Sequence, residues 1–549
     1  MEVRETEAKR DDLESLKENG GGGGGGGRGG ESCEHGGVIA PPTNPMVSAL
    51  LTDMYQISMA YAYWKVGKHQ DRAVFDLLYR KNPFGGEYTG FAGLEECIRF
   101  AANFKFTDDD IDSSCFMHTR RLQRLIYLES LHIPVSFVEL LFVASGLANS
   151  IPGNLSYIRV AQLLETTFLT MVNYASLVAS NAARHRRVVG KDKMLLEFGL
   201  RRAQAGISAW KYCYLGGFDA TSNVDAGRRF GIPVRGTHSH AFVSAFMSFD
   251  EITERSLAHA KGGSKCEDFV HLTQSWLSRM QESPTLRKFF HKTNYSELAA
   301  FTSYALAFPT AFQALVDTYD VMKSGILNFC AVALALHELG YKALGIRLDS
   351  GDLSYFSCEA WRIIRDIEKE FNVPGFGKLV ITASNNINEE TLDALNKQGH
   401  EIDAFGIGTH LVTCFSQPAL GCVYKLVEIS GQPRIKRSED LSKVTIPCKK
   451  QAFRLYGREG VALMDLLIGE SEPDPKALYK CYWTNDSGRR TPLPTLMELR
   501  KHCLQQLAAM RTDHMRALNS TPYKVSVSGK LYDFIHFLWL NEAPVGELQ

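Results

Sequence analysis

The chain has 549 residues, 45% of them hydrophobic, with 61 Lys+Arg balancing 61 Asp+Glu; that length exceeds one ordinary core and sets a prior of roughly three domains, fewer if one is a barrel. Balanced charge excludes the global basic field of a general nucleic-acid binder and points to small-molecule partners. The 12 cysteines form no C-x-x-C pair, which argues for reduced thiols in a cytosol over a disulfide framework or a structural zinc site.

The opening "MEVRETEAKRDDLESLKENG" is charged throughout, so neither a secretory signal nor an organelle transit peptide is expected. "GGGGGGGGRGG" (20–30) cannot bury a core, and residues 1–44 read as a disordered tail. A helix follows in "NPMVSALLTDMYQISMAYAYW", with Leu51, Met54, Ile57, Ala60 and Ala62 near a 3.6 period and Ser48 or Thr52 as its cap. "RAVFDLLYRKNPFGG" reads as a strand closed by a Pro/Gly turn. The apolar stretch at 135–148 contains Glu139 and is too short to cross about 30 Å of hydrocarbon, so no membrane partner is expected.

Between 190 and 424 short apolar runs end in polar or glycine clusters and helical patterns follow. "KALGIRLDSGD", "GKLVITASNNI" and "EIDAFGIGTHLV" alternate with "LSYFSCEAWRIIRDIEKEF" and "NEETLDALNKQG", which is β-α-β-α-β with a loop after the last strand. Each run carries its unusual residues at its carboxyl end, the ligand face of α/β barrels and open parallel sheets. The expected fold is therefore α/β: an irregular (β/α) barrel-like domain at 186–424, with residues 45–185 and 425–549 left for a second domain.

At those ends Arg347 and Asp349 lie at i and i+2, either as an anion-binding fork and its partner or as an internal ion pair. Ser384 and Asn385 suit a sugar or phosphate, or an Asx turn before the next helix. Gly406, Gly408 and Thr409 can cradle a phosphate, or simply turn the chain. Arg201 and Arg202 point to opposite sides, one of them a surface charge. In "RGTHSHAFVSAF", His238 and His240 could be paired metal ligands, a catalytic pair or core filler. The neighbouring strand ends offer Arg, Asn, Gly and Thr rather than further metal ligands, which favours an anionic ligand, a supporting His238 and a chemical role for His240.

Taken together, "LLTDMYQ", "NPFGGEYTGFAGLEECIRF", "LLEFGLRRAQ", "GGFDATSN", "GTHSHAFV", "YALAFPTAFQALVDTYDV", "LGIRLDSGDL", "SNNINEETL" and "GIGTHLVTC" resemble the nicotinate phosphoribosyltransferase family over most of residues 48–470 and the C-terminal helix. The resemblance implies an α/β barrel plus an open-faced sandwich domain assembled from the N- and C-terminal segments. It also implies a cytoplasmic homodimer with active sites where two subunits meet. The implied reaction makes nicotinate mononucleotide and diphosphate from nicotinate and 5-phosphoribosyl 1-diphosphate. Magnesium or manganese would serve as cofactor and ATP as co-substrate. Carried onto this chain, the likeness makes His240 a transient phosphohistidine and Asp349 its catalytic companion. Tyr55 would line the nicotinate pocket across the dimer, Thr237 and Arg347 would hold nicotinate with Arg201 nearby, Gly406, Gly408 and Thr409 would cradle 5-phosphoribosyl 1-diphosphate, and Phe198, Asp219, Ser384 and Asn385 would also bind substrate. Arg80, Lys425, Lys449 and Lys450 are further candidates for the diphosphate. Thr237 and His240 would face opposite ways on a regular strand, so the strand has to end near Gly236.

Three stretches depart from the family pattern: 131–158, the shortened turn after Gln204, and 473–484. They keep open a catalytically impaired family member, beside a nicotinamide- or quinolinate-using relative and a barrel metal hydrolase.

Overall fold

The computed structural model describes residues 40–107, 110, 136–139, 150–286, 293–436, 443–472, 480–484 and 494–541. The polyglycine tail and most of the divergent segments at 131–158 and 473–484 lie outside the described residues. Two compact units divide the chain.

Residues 184–210 and 217–413 belong to one unit. Its centre is a six-stranded sheet of short strands: β1 (Met194–Glu197), β2 (Ala220–Thr221), β3 (Gln313–Leu315), β4 (Gly345–Leu348), β5 (Val380–Ser384) and β6 (Ala404–Ile407), in the spatial order β2-β1-β6-β5-β4-β3. Every neighbouring pair is parallel. All four residues of β1 and of β6 are buried, the near-continuous apolar run of a strand covered on both faces. The expected alternation from β4 to β6 is present. Helix Leu353–Glu370 buries Leu353, Ala360, Ile364 and Ile367 along one stripe, and the Asp352 side chain accepts from the Tyr355 amide at 3.0 Å to cap it. After β6 the chain turns at once into a short helix, Thr409–Thr413, where a loop was expected.

The two edges of this sheet are served by one segment. Val234 pairs in parallel with Thr221 of β2, the Arg235 amide donating to the Thr221 carbonyl at 2.9 Å. Four residues after Val234, His238 Nε2 accepts the Leu315 amide of β3 at 3.3 Å. The stretch Val321–Glu338 is long and apolar enough to cross a membrane by length and composition, but 78% of it is buried. It is a core segment whose helical part packs on helices Phe269–Glu282 and Tyr295–Ala307.

The second unit takes the described residues of 40–183, 211–216 and those from 414 onward. Strand Arg72–Tyr79 lies between Cys422–Ile429 and Ser150–Tyr157, antiparallel to both, in a six-stranded sheet. Its Phe75 stacks on Tyr424 with ring centroids 4.8 Å apart. The first helix is shorter than the periodicity suggests, running Met54–Lys65 from Asp53 rather than from Ser48 or Thr52. The Asp53 amide donates to Gln56 Oε1 at 2.9 Å, and Thr166 Oγ1 donates to the same oxygen at 2.9 Å. Polar anchoring of Gln56 therefore sets this helix, and its supposed apolar stripe leaves Met54 47% exposed.

Strands Lys450–Tyr456, Ala462–Gly469 and Lys524–Val527 form a separate sheet. Arg454 and Asp465 face each other across it and make a two-pronged pair at 2.9 and 3.0 Å, both side chains 2% exposed. Tyr523 Oη donates to Asp465 at 3.0 Å and Gln506 accepts from Arg454 at 3.0 Å, so the pair keeps its hydrogen bonds after leaving water. The apolar C-terminal helix Gly529–Asn541 packs on this sheet through Leu531, against Ala452 and Leu467. Asp465→Ala strands the buried guanidinium and is expected to cost on the order of 3–5 kcal/mol, read as a lowered denaturation midpoint in urea.

Candidate active site

Four strands of the parallel sheet end at one cluster of side chains. In the β4/β5 register Thr382 stands beside Arg347 and Ala383 beside Leu348, which brings Ser384 alongside Asp349. Arg347 Nε donates to Ser384 Oγ at 2.9 Å, and Ser384 Oγ donates to Asp349 Oδ1 at 2.5 Å. Arg347 Nη2 lies 3.4 Å from the same carboxylate oxygen. Its guanidinium carbon sits 5.3 Å from the ring centroid of Phe198, the residue that follows β1. The planar cation is thus held on one side by a hydroxyl and a carboxylate and backed by an aromatic face. The ion pair expected between Arg347 and Asp349 exists.

Glycines at the end of β6 let that aromatic residue in. A Cβ on Gly406 would fall 2.4 Å from Phe198 Cε2, and one on Gly408 2.9 Å from the Phe198 carbonyl oxygen. The Phe198 amide donates to the Ile407 carbonyl at 2.9 Å, so β1 and β6 are laced together at their carboxyl ends. Thr409 opens the short helix after β6 and is half-buried. Beyond β5, Asn385 and Asn386 have φ of 113° and 48° and both are exposed. Asn385 is strained there, a cost found mainly where a ligand or a tight turn requires it. Their neighbour Asn388 caps the next helix by accepting from the Thr391 amide at 2.8 Å.

The histidines part company. His238 is buried, its ring 4.8 Å from Tyr304, 5.4 Å from Phe242 and 5.9 Å from Phe301. Burial pushes its pKa down to about 4, and as a neutral ring it can accept the Leu315 amide. His240 starts the helix His240–Ser244, with Ser239 at its N-cap, and is 46% exposed at the side chain. Its Nδ1 lies 3.1 Å from Thr318 Oγ1 and its Nε2 3.8 Å from Asp349 Oδ2. Neither histidine sits on a strand, since pairing stops at Arg235; the opposition expected between Thr237 and His240 disappears with it. Thr237 is half-buried and its hydroxyl donates to the His238 carbonyl at 3.2 Å. Among the described residues no three His, Cys, Asp or Glu side chains group as metal ligands.

The other expected residues make contacts of their own. Asp219 stands at the amino end of β2, paired with Arg186 and accepting from the Leu195 amide at 2.9 Å. Arg201 and Arg202 are both exposed in the turn after β1. That turn is tight: a Cβ on Gly206 would meet the Leu200 carbonyl oxygen at 2.9 Å. In the second unit Tyr55 is 51% exposed, its hydroxyl pKa raised by partial burial and then by Glu165 and Asp53. Burial lowers the Lys425 pKa, Glu165 opposes this, and Lys436 and Arg80 add to it, so three cations share one neighbourhood. Lys449 pairs with Glu470. Lys450 is committed inside its unit, 1% exposed at the side chain and 2.7 Å from Asp76.

Thr318 and Asp317 escaped the sequence reading. Asp317 and Thr318 follow β3 in "FQALVDT", the same apolar-run-then-polar signal that marks the other strand ends, and Ser350 Oγ donates to Asp317. Glu197, the last residue of β1, was also missed. Its buried carboxylate, with pKa raised by burial, accepts from Thr221 Oγ1 at 2.5 Å and from the Gly199 amide.

A parallel α/β sheet whose carboxyl ends present a cation, a carboxylate, an exposed histidine and glycine-lined backbone defines an enzyme acting on small anionic ligands. Known proteins narrow that class. Models of the nicotinate phosphoribosyltransferase N-terminal domain, family and C-terminal domain match residues 50–173, 194–460 and 476–535. Nicotinate phosphoribosyltransferase 2 of Arabidopsis thaliana is 61% identical over 93% of this chain and 98% of its own length. The Homo sapiens nicotinate phosphoribosyltransferase is 40% identical over 92% and 99%. A crystal structure of human nicotinic acid phosphoribosyltransferase superposes with a TM-score of 0.76 at 37% identity, covering 89% of this chain and 100% of that one. The chain belongs to the nicotinate phosphoribosyltransferase family and is a phosphoribosyltransferase.

Because His238 is neutral when folded and titrates near 6.5 when unfolded, its contribution to stability is complete above pH 6.5 and is lost as pH falls toward 4. The slope from this group approaches about 1.4 kcal/mol per pH unit inside that window. His238→Gln, whose amide oxygen can still accept from Leu315, is expected to flatten the acid limb in denaturant melts between pH 4 and 6.5.

Proposed function

We propose that this enzyme forms nicotinate mononucleotide and diphosphate from nicotinate and 5-phosphoribosyl 1-diphosphate, the first step from nicotinate toward NAD, and couples the reaction to ATP through a phosphohistidine at His240. The observation that carries this reading is the chain of contacts from Arg347 through Ser384 and Asp349 to His240 and Thr318 at the carboxyl ends of adjacent strands. In this reading Arg347, pre-set by Ser384 and Phe198, takes the nicotinate carboxylate in its planar fork. Thr237 and Phe198 orient the pyridine ring so that its nitrogen faces the anomeric carbon. The N–C bond forms as the bond from that carbon to the diphosphate oxygen breaks, with positive charge developing on the ribose, and positioning supplies much of the acceleration.

Gly406, Gly408 and Thr409 offer backbone and a hydroxyl to the phosphoribosyl phosphate, and the strained Asn385 turn lies beside it. Magnesium or manganese would neutralise the leaving diphosphate. No group of three protein ligands for it occurs among the described residues. His240 is exposed enough to meet a nucleotide, and Thr318 and Asp349 orient its ring. A bond forms between a ring nitrogen and the γ-phosphorus as the bond to the bridging oxygen breaks and ADP departs; water later hydrolyses the phosphoramidate.

The same reading includes a homodimer in which Tyr55 serves the partner's site, supported by its 51% exposure, and a cytosolic location, supported by the free thiols of the nine cysteines among the described residues. With magnesium and 5-phosphoribosyl 1-diphosphate, the purified full chain is expected to convert nicotinate in preference to nicotinamide, and ATP to stimulate the rate. His240→Ala is expected to abolish the stimulation. Folded protein that makes no mononucleotide would instead identify an inactive family member. Arg347→Lys keeps the charge but loses the fork, and is expected to raise the KM for nicotinate roughly 10- to 100-fold in steady-state kinetics.

A further inference from the structure

Glu297 is completely buried on the helix Tyr295–Ala307. Its Oε2 accepts from Ser324 Oγ at 2.5 Å and from Asn328 Nδ2 at 3.0 Å, whereas Oε1, also buried, has no hydrogen-bond partner. The surrounding polar groups are neutral and mutually satisfied. Asn328 Nδ2 also donates to the Asn294 carbonyl at 2.9 Å, Thr293 Oγ1 donates to Asn328 Oδ1 at 2.7 Å, and the Asn294 amide donates to Ser324 Oγ at 3.1 Å. The charged groups bearing on Glu297 among the described residues are Asp317 and Asp320, both of its own sign. Among the described residues no cation stands beside this carboxyl, and there the uncharged acid fits.

Ser324 belongs to a π-turn, Val321–Gly325, closed by the Gly325 amide donating to the Asp320 carbonyl at 2.9 Å. Such insertions cost helix geometry and concentrate at functional sites. This one lies hard against the end of β3, because a Cβ on Gly325 would fall 1.8 Å from the Val316 carbonyl oxygen. Two residues after Val316 stands Thr318, the partner of His240 Nδ1. The same helix face supports the other side of that contact. Phe301 and Tyr304, at i+4 and i+7 from Glu297, pack on the ring of His238, two residues before His240. One stripe of one helix therefore sets both segments that meet at the His240–Thr318 contact.

We propose that Glu297, as an uncharged acid, is a positioning residue for His240: it fixes the turn at 321–325 so that Thr318 meets the imidazole, and its ionisation releases that turn. The role of His240 in this statement rests on the function proposed above. Burial raises the Glu297 pKa to about 7, with Asp317 and Asp320 adding to the rise. A carboxyl whose folded pKa lies above its unfolded value stabilises fully below the unfolded value, near 4.5, and loses that contribution as pH rises through the folded one. Release therefore sets in above the unfolded value and is complete only above about pH 7.

The test uses the full chain as wild type, Glu297→Gln and Glu297→Ala. The first readout is hydrogen–deuterium exchange of the peptide spanning 316–326 at pH 6 and 8, corrected for intrinsic rates. The second is ATP-stimulated mononucleotide formation from pH 6 to 9. The ratio of wild-type to Glu297→Gln exchange is expected to rise about tenfold from pH 6 to pH 8, the change in the opening equilibrium as the held carboxyl loses its proton over that range. The ATP-stimulated rate of wild type falls above pH 7 while that of Glu297→Gln does not, and Glu297→Ala loses about 10- to 100-fold at every pH. Identical exchange and identical pH profiles in wild type and Glu297→Gln overturn the proposal, and this comparison stands even where Glu297→Ala does not fold. Absence of any ATP stimulation in wild type would sink the His240 reading instead, and the exchange comparison then decides alone whether Glu297 governs the turn.

Discussion

The amide of Leu315 at one edge of the parallel sheet needs an acceptor, and it finds one in a side chain, His238 Nε2. Much of the site depends on that bond. Strands of two to five residues expose edge groups that must be paired or covered, and here a single segment attends to both edges, through Val234 at β2 and His238 at β3. The bond requires a neutral imidazole, which explains why the ring is packed among Phe242, Phe301 and Tyr304 and why its proton affinity is depressed. With His238 pinned, the chain has only Ser239 left before His240, and the exposed histidine is delivered beside Thr318 and Asp349 by backbone geometry.

Around that point the site is built from the register of the strands. Arg347, Ser384 and Asp349 converge because β4 and β5 are parallel and in step, and Phe198 can approach Arg347 because β6 ends in glycines. Strain at Asn385, the buried acid at Glu197 and the π-turn at Val321–Gly325 all lie at carboxyl ends of the same sheet or in the turns that follow. A protein can hold such costly features where several strands over-determine the backbone. In the second unit the costly groups are paired structurally, as with Arg454 and Asp465 or Lys450 and Asp76, and Lys450 is thereby withdrawn from the cations that could meet a diphosphate.

Much of the fold was legible residue by residue. "GIRLDSGD", "VITASNN" and "AFGIGTH" announce strands whose polar ends face a ligand, because apolar runs followed by Asp, Asn, Gly and Thr have few other uses in an α/β chain. Local chemistry misled where a polar residue carried the burial: the helix at Met54 is anchored by Gln56, which no hydrophobic periodicity reports. At "GTHSHAF" pairing ends at Arg235, in keeping with the strand end expected near Gly236. Asp219 belongs to a motif that points to the site, yet its neighbour in space is Arg186.

What the sequence by itself determined was the α/β class, the order of the strand ends, the family, and the inventory of groups able to bind anions or carry a phosphoryl group. These depend on residue type and short-range spacing, which are written along the chain. The tertiary structure alone decided that His238 accepts the Leu315 amide, that Thr318 meets His240, and that the buried Glu297 lies beneath the turn leading to it. Those facts join residues 27 to 78 positions apart, and contacts of that range are set by the packing of helices on a sheet, not by any neighbour in sequence.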